Sequence, residues 1–154
     1  MKKYEFTEEF IIVDGHTLHR IRALIDFENV KKGHIGGWIE TESNLEQNGY
    51  AWVGGDAQVY GNARVGGNAR VGDDARVGGN ADYIVFKNFW SSGRWFTWTR
   101  SNNMWRVGCF FGTGEELIKK AYEDSEESGR EYERVVRYVE AILKDEENQT
   151  NKNQ

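Results

Sequence analysis

Residues 51–83 read AWVGGDAQVYGNARVGGNARVGDDARVGGNADY, and this stretch decides the predicted fold because it repeats every six residues. Valine recurs at one position of the repeat, at Val53, Val59, Val65, Val71 and Val77. Alanine recurs two residues before that position, at Ala51, Ala57, Ala63, Ala69, Ala75 and Ala81. The residues between them are mostly glycine, asparagine and aspartate, which tolerate the positive φ angles of tight turns. The pattern predicts a turn every six residues, with valine packed inward and alanine where the interior narrows.

The same period extends beyond that stretch, so the predicted repeat region covers residues 35–83. It continues at Ile35, Ile39, Leu45 and Tyr83. Three turns make a triangular coil of eighteen residues, and successive coils stack at about 4.8 Å. Residues eighteen apart then become neighbours, which places Arg70 over Trp52 for a cation–π contact. We therefore predict a short left-handed parallel β-helix.

The flanks predict caps for the two ends of this β-helix, and the fold class is mainly β with an α/β tail. Asp14-Gly15 is a preferred hairpin turn between the strand-like runs Phe10–Val13 and His16–Leu24. The predicted segments are an N-terminal hairpin cap at 1–34, the β-helix at 35–83, a C-terminal β-hairpin with two helices at 84–147, and a disordered tail at 148–154.

The C-terminal hairpin is predicted from Arg94–Arg100 and Met104–Phe111, with Asn102-Asn103 as its turn. Its expected pairs are Trp98 with Val107, Phe96 with Cys109, Trp95 with Phe110, Thr97 with Gly108 and Thr99 with Arg106. The face of Trp98 and Phe96 is apolar and is expected in the core, together with Cys109 as a buried, inert thiol. Helices follow, because Thr113 and Glu116 form a capping box.

Charge is distributed unevenly along a chain whose net charge is −5. Residues 83–112 contain four cations, no Asp or Glu, and four of the six tryptophans; the cations are Lys87, Arg94, Arg100 and Arg106. The sequence contains no apolar run of the ~20 residues that a membrane-spanning helix needs. We expect a cytoplasmic protein without membrane contact, and the single cysteine allows no internal disulfide.

The cationic aromatic segment is the candidate site. Trp95 offers a stacking surface, and arginine forks match phosphate oxygens. The predicted ligand-binding residues are Arg106, Arg100, Trp95, Thr97, Thr99 and Phe110, with Arg20 and Arg22 as possible additions. A charge of +4 suits a compact nucleotide better than a long nucleic acid. The alternative is a core hairpin whose arginines extend to the surface or pair with the acidic helices.

Three stretches resemble small proteins encoded by bacteriophages and prophages. They are Gly33–Glu46 (GHIGGWIETESNLE), the Gly-Asn-Ala-Arg-Val repeats, and Val107–Glu116 (VGCFFGTGEE). The resemblance implies a phage origin and hexapeptide repeats followed by a compact α/β tail. It implies no catalytic residues. Hexapeptide-repeat proteins are commonly trimers, so it also implies a homo-oligomer.

Three functions are compared. The first is a non-catalytic counter-defence sponge that sequesters a cyclic or ADP-ribose-type messenger of bacterial immunity. The second is an interaction scaffold that inhibits a host defence protein, because Trp and Arg dominate protein-binding hot spots. The third is a hexapeptide acyltransferase, for which His34 is the only plausible general base. We favour the first, and we expect no cofactor and no metal site because the three histidines are scattered.

Overall fold

The structure is a computed structural model that describes residues 2–152. Its strands are β1 (Tyr4–Val13), β2 (His16–Ala23), β3 (Ile35–Ile39), β4 (Trp52–Val53), β5 (Gln58–Val59), β6 (Arg70–Val71), β7 (Arg76–Val77), β8 (Tyr83–Lys87), β9 (Trp95–Thr99), β10 (Met104–Val107) and β11 (Phe110–Gly112). The helices are α1 (Gly114–Asp124) and α2 (Glu126–Lys152), and 3₁₀ turns span Glu42–Asn44 and Asn80–Asp82. The chain divides into two compact units, residues 1–111 and 112–154.

The predicted left-handed parallel β-helix is wrong as the fold class, because the protein is a mixed α/β structure whose sheets are mostly antiparallel. A five-stranded mixed sheet has the order β1-β2-β3-β5-β7, and a four-stranded sheet has the order β11-β10-β9-β8. The third sheet contains only β4 and β6. The repeat contributes strands of two residues, whereas β1 has ten residues and pairs antiparallel with β2. The long flanking strands therefore make most of the strand pairing antiparallel.

The alternation of valine and alanine in the repeat was interpreted correctly at the level of burial. All five repeat valines are buried, and so are the alanines from Ala51 to Ala75. The spacing between paired residues is not constant: Trp52 pairs with Arg70, eighteen residues later, but Trp38 pairs with Gln58, twenty residues later. The six-residue period thus identifies the inward-facing residues and does not determine how the strands are assembled.

The N-terminal hairpin forms where the sequence predicts it. Val13 pairs with His16 across a two-residue turn in which Asp14 and Gly15 have φ angles of 49° and 82°. These positive angles are tolerated by Gly and, less readily, by Asp, which explains the choice of residues. Strand β2 then pairs with β3, so this hairpin extends the mixed sheet.

The C-terminal hairpin forms, but its register differs by two residues from the prediction. Trp98 pairs with Trp105, and Phe96 pairs with Val107. A shift of two residues keeps every side chain on its face of the sheet, and these four residues are indeed buried. The expected burial of Cys109 is wrong, because it lies beyond β10 and is exposed.

Strand β8 was not predicted, and it changes the environment of the hairpin. It pairs with the other edge of β9, where Val85 lies opposite Thr97. Strand β9 is therefore internal in its sheet. Thr97 and Thr99, which were expected on an open face, are buried.

Residues 112–152 form a helical hairpin. Thr113 accepts a hydrogen bond from the amide of Glu116, which confirms the predicted capping box. Gly129 lies against the ring of Tyr122 so closely that a Cβ at this position would overlap the ring. The second helix continues through Lys152, into the segment for which the sequence predicts disorder, and residues 153–154 lie outside the described residues. Neither helix, over the described residues, is long and apolar enough to cross a membrane.

Candidate anion-binding site

Three arginines from separate segments line one cavity of about 550 Å³. Arg70 belongs to β6, Arg94 immediately precedes β9, and Arg106 belongs to β10. The other lining residues are Glu28, Asn29, Tyr50, Asn68, Ser92, Gly93, Trp95, Gly108 and Cys109. The volume lies within the ~300–1,000 Å³ of small-molecule sites. Three arginines and one glutamate give the lining a formal charge of +3 − 1 = +2.

Thr97 holds the two sides of this cavity together. Its backbone lies opposite Arg106 in the β9–β10 pair, and its Oγ1 accepts a hydrogen bond of 2.9 Å from the backbone N–H of Arg70. Because both contacts involve the same buried residue, β6 and β10 are placed on either side of it. Thr97 therefore positions Arg70 and Arg106 and does not itself line the cavity.

Arg106 is anchored at its far end by an acidic partner. Its guanidinium donates to the Oδ2 of Asp73 and lies 5.1 Å from the ring centroid of Phe111. A Cβ at Gly72 would lie 3.4 Å from the guanidinium, so the turn before Asp73 leaves just enough room for the arginine. The ion pair holds Arg106 in place and still leaves a part of the guanidinium exposed at the cavity.

Arg70 is the most confined of the three cations. Its guanidinium donates to the Oδ1 of Asn29 at 2.6 Å. Burial lowers the pKa of Arg70; the carboxylate of Glu28 opposes this effect, and the nearby charge of Arg106 adds to it. Arginine nevertheless stays protonated, so a poorly hydrated positive charge faces the cavity. Such a charge is stabilised when an anion replaces the missing water.

Arg94 and Trp95 form the outer wall of the cavity. Among residues 2–152, no carboxylate lies within ion-pair distance of the Arg94 guanidinium, which is exposed. Trp95 is 39% exposed, and the Nζ of Lys87 lies 5.7 Å from the centroid of its ring. The backbone of Gly108, at a φ of 58°, lies opposite Arg94 and lines the same wall. Arg94, which has no carboxylate partner among the described residues, therefore lies beside the partly exposed ring of Trp95.

A second cavity of about 190 Å³ adjoins the first. Asn29, Arg70 and Arg106 line both cavities. The remaining lining of the smaller cavity is formed by Val30, His34, Trp52, Gly54, Gly55, Val71, Gly72 and Asp73. Two guanidinium groups therefore stand where the two cavities meet.

Of the residues predicted from the sequence, Arg106 and Trp95 line the cavity, and four others lie elsewhere. Arg100 donates to the carbonyl oxygen of Ala81 and lies against Trp98. Thr99 is buried and bonds to Asn102, and half-buried Phe110 lines neither cavity. Thr97 is the buried positioning residue described above.

The two N-terminal arginines considered as additions are also directed elsewhere. Arg20 packs over Trp38, and Arg22 pairs with Glu5 across the first hairpin. Neither residue lines either of the two cavities.

Arg70 and Arg94 were not predicted as site residues, although the six-residue repeat contained a signal for Arg70. The eighteen-residue spacing places Arg70 beside Trp52, and the two residues do pair as strand neighbours. The guanidinium turns to Asn29 and to the cavity, because β9 packs against this part of the repeat. No local pattern in the sequence specifies that long-range contact.

No family model matches the chain, and no curated protein matches its sequence significantly. Among residues 2–152, no group of three or more His, Cys, Asp or Glu residues is arranged to hold a metal ion. The geometry and charge of the cavity are therefore the basis for assigning a function to this protein.

Proposed function

We propose that this protein binds a small anionic nucleotide in the cavity lined by Arg70, Arg94, Arg106 and Trp95. The observation that carries the proposal is the convergence of three arginines and one tryptophan on a cavity of about 550 Å³. Arginine forks donate paired hydrogen bonds to phosphate oxygens, and an indole ring stacks on a nucleobase. Both requirements of a nucleotide are met within one cavity.

The arrangement assigns different parts of the ligand to different walls. Phosphate oxygens face Arg70 and Arg106, whose positions are fixed by Asn29 and Asp73. The base lies against Trp95 at the open side, where Arg94 is free to close over it or over a phosphate. Tyr50 and Asn68 add a second ring and an amide to the lining.

A short ligand suits the cavity better than a nucleic acid strand. The affinity of proteins for nucleic acids grows with the number of phosphates neutralised, and the lining offers a net charge of only +2. The whole protein carries −5, which repels a long polyanion at distances beyond the cavity. One or two phosphates match the three arginines.

In biological terms, we propose sequestration without catalysis. The resemblance to phage-encoded proteins supports a counter-defence role in the cytoplasm of an infected bacterium, where a tightly bound messenger no longer reaches its receptor. The same resemblance supports a homo-oligomer, with trimers favoured.

A second candidate is the docking of a host defence protein on the same surface. Phe89 is 80% exposed, and it stacks edge-to-face with Trp90. Exposed aromatic residues next to arginines are typical of protein-binding hot spots. Under this alternative a host protein, and not a nucleotide, would bind in an Arg106-dependent manner.

The test is a thermal-shift screen of the purified chain against mononucleotides, cyclic dinucleotides, ADP-ribose and cyclic ADP-ribose isomers. A ligand at a hundred times its Kd adds about 2.7 kcal/mol to the free energy of unfolding. We expect one class to stabilise the wild type and to have no effect on Arg106→Ala. The matched control is Arg76→Ala, which removes an exposed arginine that lines neither cavity and should keep the full shift.

Recovery of the ligand distinguishes sequestration from turnover. After incubation and denaturation of the complex, mass spectrometry should return the unchanged nucleotide. A screen without any stabilising nucleotide would overturn the proposal, and a converted product would overturn its non-catalytic part.

A further inference from the structure

The smaller cavity offers space for a second chemical group, which a simple nucleotide does not have. Its volume of about 190 Å³ is below the range of complete small-molecule sites and suits a single group such as a sugar ring. Arg70 and Arg106 line both this cavity and the larger one. A ligand that fills both cavities therefore carries its negative charge in the middle and a second group beyond it.

The lining of the smaller cavity indicates the chemistry of that second group. Asp73 supplies a carboxylate and His34 an imidazole, and Asn29, Arg70 and Arg106 also line this cavity. A carboxylate accepts hydrogen bonds from hydroxyl groups and repels a further phosphate. A group that bonds to Asp73 in this cavity is therefore one that carries hydroxyls.

We infer that the ligand is a nucleoside diphosphate esterified to a second sugar, with the base on Trp95, the diphosphate between Arg70 and Arg106, and the terminal sugar against Asp73. This inference rests on the proposed function and narrows it. A cyclic mononucleotide occupies the larger cavity alone and leaves the smaller cavity without a partner.

Asp73 has two roles in this arrangement. Without ligand, its carboxylate pairs with Arg106. When a diphosphate shares the guanidinium, the carboxylate becomes available to the hydroxyl groups of the terminal sugar. The affinity for the sugar-bearing ligand therefore depends on Asp73 more strongly than the affinity for the parent diphosphate does.

Calorimetric titration of the full chain with two ligand pairs tests the inference: ADP with ADP-ribose, and UDP with UDP-glucose. In at least one pair, we expect the sugar-bearing ligand to bind at least about tenfold more tightly, as one or two hydrogen bonds to a charged group provide. Asp73→Asn should reduce that ratio to less than about threefold. Asparagine also tolerates the positive φ of 57° at this position, so the turn is kept.

Asp74→Asn is the matched control, because Asp74 is the neighbouring carboxylate, bonds to Asn102 and lines neither cavity. It should leave the ratio of the two affinities unchanged. Equal affinities within both pairs of the wild type would overturn the inference and leave the proposed function intact. An equal loss for both members of a pair in Asp73→Asn would also overturn it, because Asp73 would then act only through Arg106. Failure of all nucleotides to bind would instead contradict the proposed function.

Discussion

Arginine meets tryptophan in two regions of this molecule, and only one of these regions forms a cavity. In the first hairpin, the Arg20 guanidinium lies 4.3 Å from the centroid of the Trp38 ring. It donates 3.0 Å hydrogen bonds to the carbonyl oxygens of Gly36 and Gly55. In this region, the hydrogen bonds of Arg20 join β2 to β3 and to the repeat.

At the cavity, Arg94 and Trp95 are arranged without such hydrogen bonds to the arginine within residues 2–152. Arg94 has no carboxylate partner among the described residues, and the neighbouring Trp95 is half-open to the cavity. Arginine next to tryptophan therefore does not by itself indicate a binding site. Arg94 differs from Arg20 because the Arg20 guanidinium already donates to carbonyl oxygens of the protein.

The largest effect is expected from removing Arg20, whose guanidinium already donates to two carbonyl oxygens of the protein. Arg20→Ala leaves the carbonyl oxygens of Gly36 and Gly55 without this donor and uncovers Trp38, and it should lower the free energy of unfolding by about 2 kcal/mol. Urea denaturation followed by tryptophan fluorescence measures this change. Nucleotide affinity, measured below the unfolding transition, should stay within about twofold of the wild type. Unchanged stability would contradict the structural role of Arg20.

For Arg94, we expect the opposite result: affinity for the nucleotide falls and stability is kept. Arg94→Ala removes one charge-assisted donor from the cavity and should weaken nucleotide binding by about tenfold. Its Tm should stay within about 1 °C, because an exposed side chain without a partner contributes little to stability. Titration and thermal unfolding of the same sample measure both quantities. Loss of stability without loss of affinity would reverse the comparison between Arg94 and Arg20.

A pH-dependent effect is expected from Lys3, which is a buried cation. Lys3 is buried and donates from Nζ to the carbonyl oxygen of Ala51 at 2.6 Å. Burial lowers its pKa from 10.5 to about 8, against the opposing effect of Glu46. Between these two values, the unfolded state holds a proton that the folded state has released, so the contribution of Lys3 to stability rises with pH.

The substitution Lys3→Met tests this contribution by removing the titrating group. Free energies of unfolding at about pH 7.5 and about pH 9.5 should differ less in the variant than in the wild type. Equal differences would show that Lys3 does not titrate in this range. The result would sharpen the contrast with Arg70, which burial also affects but which remains charged.

Local features of the fold could be predicted from the sequence because their causes are local. Positive φ at Asp14 and Gly15 marks the first turn, and the pair Thr113 and Glu116 marks the start of α1. The burial of the repeat valines follows from their period. In each case, residues within a few positions of one another determine the outcome.

The assembly of the sheets could not be predicted because it depends on distant partners. Tyr83–Lys87 is a short run that looks like the end of the repeat, yet it pairs with β9. Thr97 and Thr99 of β9 are buried. The two-residue shift of the C-terminal hairpin follows from a turn in which Asn103 has a φ of 51°. The two-residue strands of the repeat also did not reveal that longer antiparallel strands dominate the fold.

The candidate site was predicted in part for the same reason. Arg106 and Trp95 were found because both lie in the cationic aromatic segment of residues 83–112. Arg70 was missed as a site residue because its contribution depends on the hydrogen bond that joins β6 to Thr97. The composition of residues 83–112 indicated where the site lies. Which residues line the cavity depends on tertiary contacts that the composition does not reveal.

Because Arg106 pairs with Asp73, an anion in the cavity competes with a carboxylate of the protein for the Arg106 guanidinium. A carboxylate tethered beside the guanidinium acts at a high effective concentration, which free chloride or inorganic phosphate cannot match at cellular levels. A monovalent ion gains too little from one guanidinium to displace the tethered group. Under the proposed function, Arg106 is therefore more available to a ligand that also contacts Arg70 or Arg94 than to a single small anion.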